Sequence, residues 1–202
     1  HIAYYLGKGT EIIGIVHSDE QQQSVSKAIE LKKQLINMLS EEEQQALFIG
    51  IGNEYTSIEH VRKSYLEALE VIETMVFLKL DEQEIFFFHE LGMYRYIKLM
   101  YKKNVSEQYR NKNILAIMEK DVQHNSELLF TLWSYIKNDC KVGQTAEQLF
   151  IHPNTLSYRI KQIQEITTID FSDVHEKTEL YAHLLMLELV PDYKKFYQKQ
   201  LI

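Results

Sequence analysis

Residues 145 to 163 read "TAEQLFIHPNTLSYRIKQI" and gather side chains suited to recognition rather than to bond making. Asn154 can pair with adenine through two hydrogen bonds. Ser157 and Tyr158 can reach bases or phosphates, and Thr155, Arg159 and Lys161 suit phosphates. Their spacing matters as much as their type. Leu156, Ile160 and Ile163 recur at i, i+4 and i+7, so at about 100° per residue Asn154, Tyr158 and Lys161 face away from them, with Ser157 and Gln162 flanking. Pro153 explains itself in the same frame. In the first turn of a helix its missing N–H has no partner to lose, so it begins a helix over 153–164 and pushes His152 toward extended backbone. Upstream, Ala146 supplies the small residue where two helices meet, Leu149 fills a core, and Phe150, Ile151 and His152 make a turn with Ile151 pointing inward. This is helix-turn-helix spacing, and such proteins read the major groove with the solvent face of the second helix. The expected DNA-binding set is His152, Pro153, Asn154, Thr155, Ser157, Tyr158, Arg159, Lys161 and Gln162. Two of these have rival assignments: Arg159 sits nearer the buried flank, where an intramolecular ion pair competes with a phosphate, and His152 can simply cap or pack in the turn. The competing reading of the whole stretch is an ordinary helical hairpin.

Other constellations offer less chemistry. His175 and Glu179 stand at i, i+4, a spacing that helical surfaces produce often without metal. "GIG" at 50–52 is a lone G-x-G, more simply a tight strand end than a phosphate loop. "EEE" at 41–43 reads as a solvated helix end, "DEQE" at 81–84 as a polar loop, and Cys140 as a packed or semi-exposed thiol. No catalytic residue, no metal site and no cofactor is expected.

The elements that must position the reading helix follow from the bulk pattern. The chain has 202 residues, 45% hydrophobic and 25% charged, with 7 Gly, 2 Pro and 1 Cys. Few breakers mean a mostly helical protein, and a single cysteine excludes an internal disulfide and fits a cytoplasmic setting. No apolar run is long enough to span a bilayer. The chain begins at His1 in strand-like sequence, as expected of a fragment whose upstream part is missing. The net charge of −7 excludes a general basic coat for nucleic acid, but residues 141–164 carry Lys141, Arg159 and Lys161 against Glu147 alone. Along the chain, "IAYYLGKGTEIIGIVHS" predicts a hairpin, 24–39 a helix, "ALFIGIG" a buried strand, and 57–79 a helix capped by Ser57. That helix should bury Ile58, Val61, Tyr65, Ala68, Leu69, Ile72 and Val76. "EIFFFHEL" predicts another strand. Helices follow from Leu91 onward, the last over 175–190, and the polar "DVQHNSE" at 121–127 is the expected joint between two parts.

The stretch from Leu128 to about Leu189 closely resembles the C-terminal helix-turn-helix domain of the PucR/CdaR group of bacterial regulators. The resemblance rests on the T-L-x-x-Y-I lead-in, the T-A-x-x-L-F-I-H-x-N-T-L-x-Y-R-I core and Ile169-Asp170-Phe171. Thr168-Ile169 stands where many relatives have glycine, and Pro153 stands where they often carry Arg, which removes one contact. "LFIGIGNEYTSIEHVRKSYLEALEVI" and "EIFFFHELGMYRYI" resemble the degenerate GGDEF-like domain that often precedes this unit. Its "GKGTEI" hairpin lies where cyclases carry their signature. There Thr10 replaces a carboxylate needed to hold metal against triphosphate and only Glu11 remains.

The resemblance implies an α+β chain: a small GGDEF-like α/β-sandwich fragment at 1–90, a helical linker at 91–123, and an all-α helix-turn-helix domain at 124–202. It implies a sequence-specific transcriptional regulator, an activator of a catabolic operon, with double-stranded DNA as partner. A homodimer or higher homo-oligomer is expected, with a small-molecule effector sensed upstream, and no membrane. The rival readings are a nucleotide-binding or cyclase-like sensor or enzyme built on the first domain, and an oligomerisation module.

Overall fold

The computed structural model describes residues 3–8, 11–16, 23–45, 47–79 and 86–201. The chain divides into two compact units, His1–Arg95 and Tyr96–Ile202.

The first unit opens with the expected hairpin. Strands β1 (Ala3–Lys8) and β2 (Glu11–Val16) pair antiparallel, with Ala3 opposite Val16 and Lys8 opposite Glu11. The turn residue Thr10 lies outside the described residues, as does "DEQE" at 81–84. Helix α1 (Gln23–Met38) and the short α2 (Glu41–Gln45) follow. A capping box opens α2: Glu43 N–H donates to Ser40 Oγ, while Ser40 N–H and Oγ donate to the Glu43 carboxylate at 2.8 and 2.9 Å. These bonds also hold the Glu43 carboxyl below its ordinary pKa. A 3-10 turn, Ile58–His60, is capped by Ser57 as expected and leads into α3 (Val61–Leu78).

The α/β sandwich expected for this unit is not formed among the described residues. The strand expected over 46–52 reduces to one parallel bridge, Ile51 with Phe87, closed by Ile51 N–H to the Phe86 carbonyl at 2.7 Å and Phe88 N–H to the Ile51 carbonyl at 2.9 Å. "EIFFFHEL" does not continue as a strand. The Glu90 carboxylate accepts from the N–H groups of Phe86 and Phe87, and the chain curls into a 3-10 turn at Phe88–Glu90. Of the expected stripe of α3, Val61, Tyr65, Ala68, Leu69 and Ile72 are half-buried. Val71, Thr74, Met75 and Leu78 are buried together with Glu67, while Ile58 and Val76 are exposed. Glu67 is buried for a polar reason: its carboxylate accepts from Asn53 N–H at 2.9 Å and Tyr55 Oη at 2.5 Å, which fastens the 53–55 segment to α3. Gly50 and Gly52 serve the same approach. A β-carbon there would overlap the Ala68 and Ser64 carbonyl oxygens. Val71, Met75 and Leu91, with Phe88 and Tyr94 against them, form the core.

The second unit is all helical. Helix α4 (Tyr94–Ser106) enters it, followed by α5 (Lys112–His124), α6 (Leu128–Lys137), α7 (Val142–Gln148), α8 (Pro153–Ile166), α9 (Val174–Leu189) and α10 (Pro191–Gln198). Helix α6 packs against α5, α7, α8 and α9, and its residues from Thr131 to Ile136 are all buried. Only Phe130 and Lys137 of this helix are exposed. Trp133 belongs to it, with its ring 5.4 Å from that of Tyr181. The joint expected at 121–127 is instead a fixed corner. Asp121 accepts from Ser126 Oγ at 2.6 Å, Leu128 N–H at 2.8 Å and Leu129 N–H at 2.9 Å, so the last turn of α5 caps α6. The division between units falls at 95/96. Consequently α5, expected as linker, packs on α6 and α8.

Helix α10 lies beyond the last helix expected from sequence. Pro191 opens it in the same way that Pro153 opens α8, and it buries Tyr193, Phe196 and Tyr197. Both phenol oxygens approach Nδ1 of buried His183, at 2.8 Å from Tyr193 and 3.2 Å from Tyr197. Asn104 donates to Tyr193 Oη at 3.0 Å, and Asn111 N–H to Tyr197 Oη at 2.8 Å, which ties α4 and α5 to α10. Burial lowers the His183 pKa, with Glu179 opposing weakly, and it raises both phenols. Among the described residues no helix is long and apolar enough to cross a membrane.

Two measurements follow. Asp121→Ala removes the cap of α6 and is expected to cost about 1–2 kcal/mol in urea unfolding, with the exposed residues of α8 untouched. His183 is neutral when folded below the pH at which the unfolded chain, near its ordinary 6.5, takes up a proton. Its contribution is therefore full above about pH 6.5 and falls as pH drops below it. Denaturation between pH 7 and 5 should show His183→Gln losing less stability on acidification than the parent chain, by up to about 1.4 kcal/mol per pH unit.

Candidate nucleic-acid interface

The helix-turn-helix is built from local devices. Thr145 and Ala146 are buried where α7 meets α8, and Thr145 Oγ1 donates to the Lys141 carbonyl at 2.9 Å. Helix α7 ends in a Schellman motif: Ile151 N–H reaches the Ala146 carbonyl at 3.0 Å, and Phe150 N–H the Glu147 carbonyl at 3.1 Å. The residue between, Phe150, takes the left-handed conformation with φ of 53°. Leu149 and Ile151, expected in the core, are half-buried. His152 then caps α8, with Nδ1 accepting from Asn154 N–H at 3.2 Å, and Pro153 occupies the first turn. Leu156, Ile160 and Ile163 are buried, as the spacing requires.

The opposite side of α8 is open. His152, Pro153, Asn154, Thr155, Ser157, Tyr158 and Lys161 are all exposed, Tyr158 at 63%. Gln162 is half-buried and donates to Tyr158 Oη at 3.3 Å. Lys161 lies 3.9 Å from Glu165 one turn on, at 76% side-chain exposure, a separation that leaves its ammonium in solvent. From Gln148 to Gln164 there is no acidic residue, and the first turn of α8 adds the positive end of its dipole.

Arg159 departs from the expected set. Its Nη1 donates to buried Thr131 Oγ1 at 3.1 Å, and Nη2 lies 3.6 Å from the Glu127 carboxylate. It thus joins α8 to α6, the intramolecular alternative that its position on the flank allowed. Phe150 is the residue that sequence reasoning passed over. The spacing assigns it only to the turn, yet it is 95% exposed, the highest value among the exposed large hydrophobic side chains of the described residues. The available signal was a bulky residue directly after a helix end, where glycine is usual.

The remaining candidates belong to the scaffold. Glu179 accepts from Tyr109 Oη and Asn111 Nδ2, each at 2.9 Å, so its carboxylate is engaged away from a pairing with His175. Among the described residues no group of three or more His, Cys, Asp or Glu is placed to hold a metal ion. Cys140 is half-buried, and burial pushes its thiol up from the ordinary value.

Comparison with known proteins agrees with this geometry. Residues 128–186 match the family described as the PucR C-terminal helix-turn-helix domain, and residues 3–74 match the GGDEF-like domain. The proline-responsive transcriptional activator PutR of Bacillus subtilis is 39% identical over 189 residues, 93% of this chain and 46% of that protein. The DNA-binding transcriptional activator AdeR of the same organism is 34% identical over 157 residues, 78% of this chain and 36% of that protein. The carbohydrate diacid regulator of Escherichia coli is 26% identical over 159 residues, 77% of this chain and 40% of that protein. The chain thus spans less than half the length of these curated relatives. No solved structure matches it.

The two cations of α8 should separate in a stability measurement. Arg159→Ala leaves buried Thr131 without its charged partner and is expected to cost about 1–3 kcal/mol in urea unfolding. Lys161→Ala should change stability by less than about 0.5 kcal/mol.

Proposed function

Since the chain belongs to the PucR-type family, we propose that it is a transcription regulator that reads double-stranded DNA with the N-terminal half of α8. The observation that carries this reading is one open face holding Asn154, Thr155, Ser157, Tyr158 and Lys161, with no acidic residue ahead of Glu165 at its far end, fixed by a buried Leu156–Ile160–Ile163 side. Asn154 and Tyr158 read base edges, Ser157 and Thr155 reach bases or phosphates, and Lys161 neutralises a phosphate. His152 and Pro153 set the start of the helix at the groove, and Gln162 holds Tyr158. Arg159 keeps a scaffold role.

The printed names of PutR and AdeR support activation as the sense of control. Their effectors are not carried over, and we place effector sensing outside the helix-turn-helix unit. The first unit is read as a GGDEF-like domain that assembles or transmits and does not turn over nucleotide, because Thr10 stands in the cyclase signature. A single helix-turn-helix covers few base pairs, so pairing on two half-sites is part of the proposal. The exposed Leu99 of α4 and Val122 of α5 offer apolar surface for it. A cytoplasmic location goes with DNA as partner.

The test is a footprint on duplexes recovered by the chain from a random-sequence library. Asn154→Ala should lose about 1–3 kcal/mol of discrimination at one adenine. Lys161→Ala should weaken binding to all sequences alike and reduce the salt slope by about 1. An unchanged footprint with Asn154→Ala would sink the reading-face assignment.

A further inference from the structure

Phe150 combines two unfavourable conditions. Its φ of 53° is one that bulky side chains rarely adopt. Its ring, at 95% exposure, gains no burial in return. Of the six non-glycine residues with positive φ among the described residues, it is the one aromatic; the others are Lys79, Gln108, Asn125, Asp139 and Cys140. Glycine at this position of the Schellman motif would keep both closing hydrogen bonds and remove the clash. The fold therefore gives no reason for phenylalanine here. A contact made outside the chain does.

Position says what that contact is. Phe150 lies two residues before the helix-capping His152 and three before the first residue of α8, so chain length holds it within about 10 Å of the α8 N-terminus. That edge carries exposed His152, Asn154 and Thr155 and the positive end of the helix dipole; exposed Glu147, one turn back on α7, is the acidic residue nearest in sequence, and none follows until Glu165. A polyanion fits such surroundings better than an apolar protein face. Within a major groove the apolar feature available to a phenyl ring is the C5-methyl group of thymine.

Resting on the DNA-reading assignment above, we propose that Phe150 is a specificity-determining residue that packs against a thymine methyl at the edge of the site read by α8. The turn is held strained so that the ring projects into the groove ahead of the helix.

The test uses the full chain and a duplex it selects from a random-sequence library, made once with thymine and once with deoxyuridine, which lacks the methyl. Phe150→Gly should melt a few degrees higher than the parent, because the strain is gone. It should bind the thymine duplex about tenfold more weakly, and the deoxyuridine duplex nearly as well as the parent does. Phe150→Ala should lose the same affinity without the full gain in melting temperature. A parent chain that selects no duplex overturns the DNA reading itself. A parent that binds, with Phe150→Gly unchanged in affinity, equally weakened on both duplexes, or lower melting, overturns the role given to Phe150.

Discussion

Everything in the second unit depends on satisfying the ends of a helix that is buried along most of its length. Helix α6 is walled in by α5, α7, α8 and α9, and six consecutive residues of it are buried. Unpaired backbone N–H groups at its start would be costly in such a place. Its own N-terminal residue, Glu127, supplies no side-chain cap. Asp121 does so from the preceding helix, with three short hydrogen bonds. One carboxylate therefore fixes the angle between α5 and α6, and with it the floor on which the helix-turn-helix stands. The far end of α6 is treated similarly: Asn138 donates to the Ser134 carbonyl and to Gln148 of α7.

That floor decides which side of α8 is free. Leu156, Ile160 and Ile163 turn inward, and Arg159 reaches across to Thr131, so α8 is held by apolar packing and by one charged hydrogen bond at its flank. A reading helix must present its donors at fixed positions, since base-edge hydrogen bonds tolerate little displacement. The arginine that looks suited to phosphate is more useful as the strut that prevents α8 from rolling. The remaining cation, Lys161, is left to solvent at 76% side-chain exposure.

The legible parts of this molecule are those whose causes are close in sequence. Pro153, the apolar spacing that follows it and the small residue at 146 specify the helix-turn-helix within about twenty residues, and the β1–β2 hairpin is similarly local. Distant causes were hidden. On α3 the expected Val61, Tyr65, Ala68, Leu69 and Ile72 are half-buried, but the most buried positions also include Glu67, a charged residue held inside because Asn53 and Tyr55 bond to it, which a hydrophobic pattern does not reveal. The polar run at 121–127 looks like a flexible joint in composition. Its polarity instead serves the backbone of the next helix. The strands expected at 46–52 and 84–91 meet in a single bridge, because Glu90 draws the backbone of Phe86 and Phe87 into a turn. Helix α10 had a legible signal in Pro191 and the Tyr193, Phe196, Tyr197 spacing, but at eight residues it was too short to stand out.

Trp133 is the chain's one tryptophan, and it sits in the middle of α6. Its ring is 9% exposed and leans on Tyr181, and its indole nitrogen is buried without a hydrogen-bond partner. Intrinsic emission excited at the red edge of the protein band therefore originates in α6 alone. An optical melt followed at that wavelength is blind to the hairpin and to α3, whereas circular dichroism sees the helices of both units. The difference between the two signals is a built-in measure of whether the units unfold together or in turn.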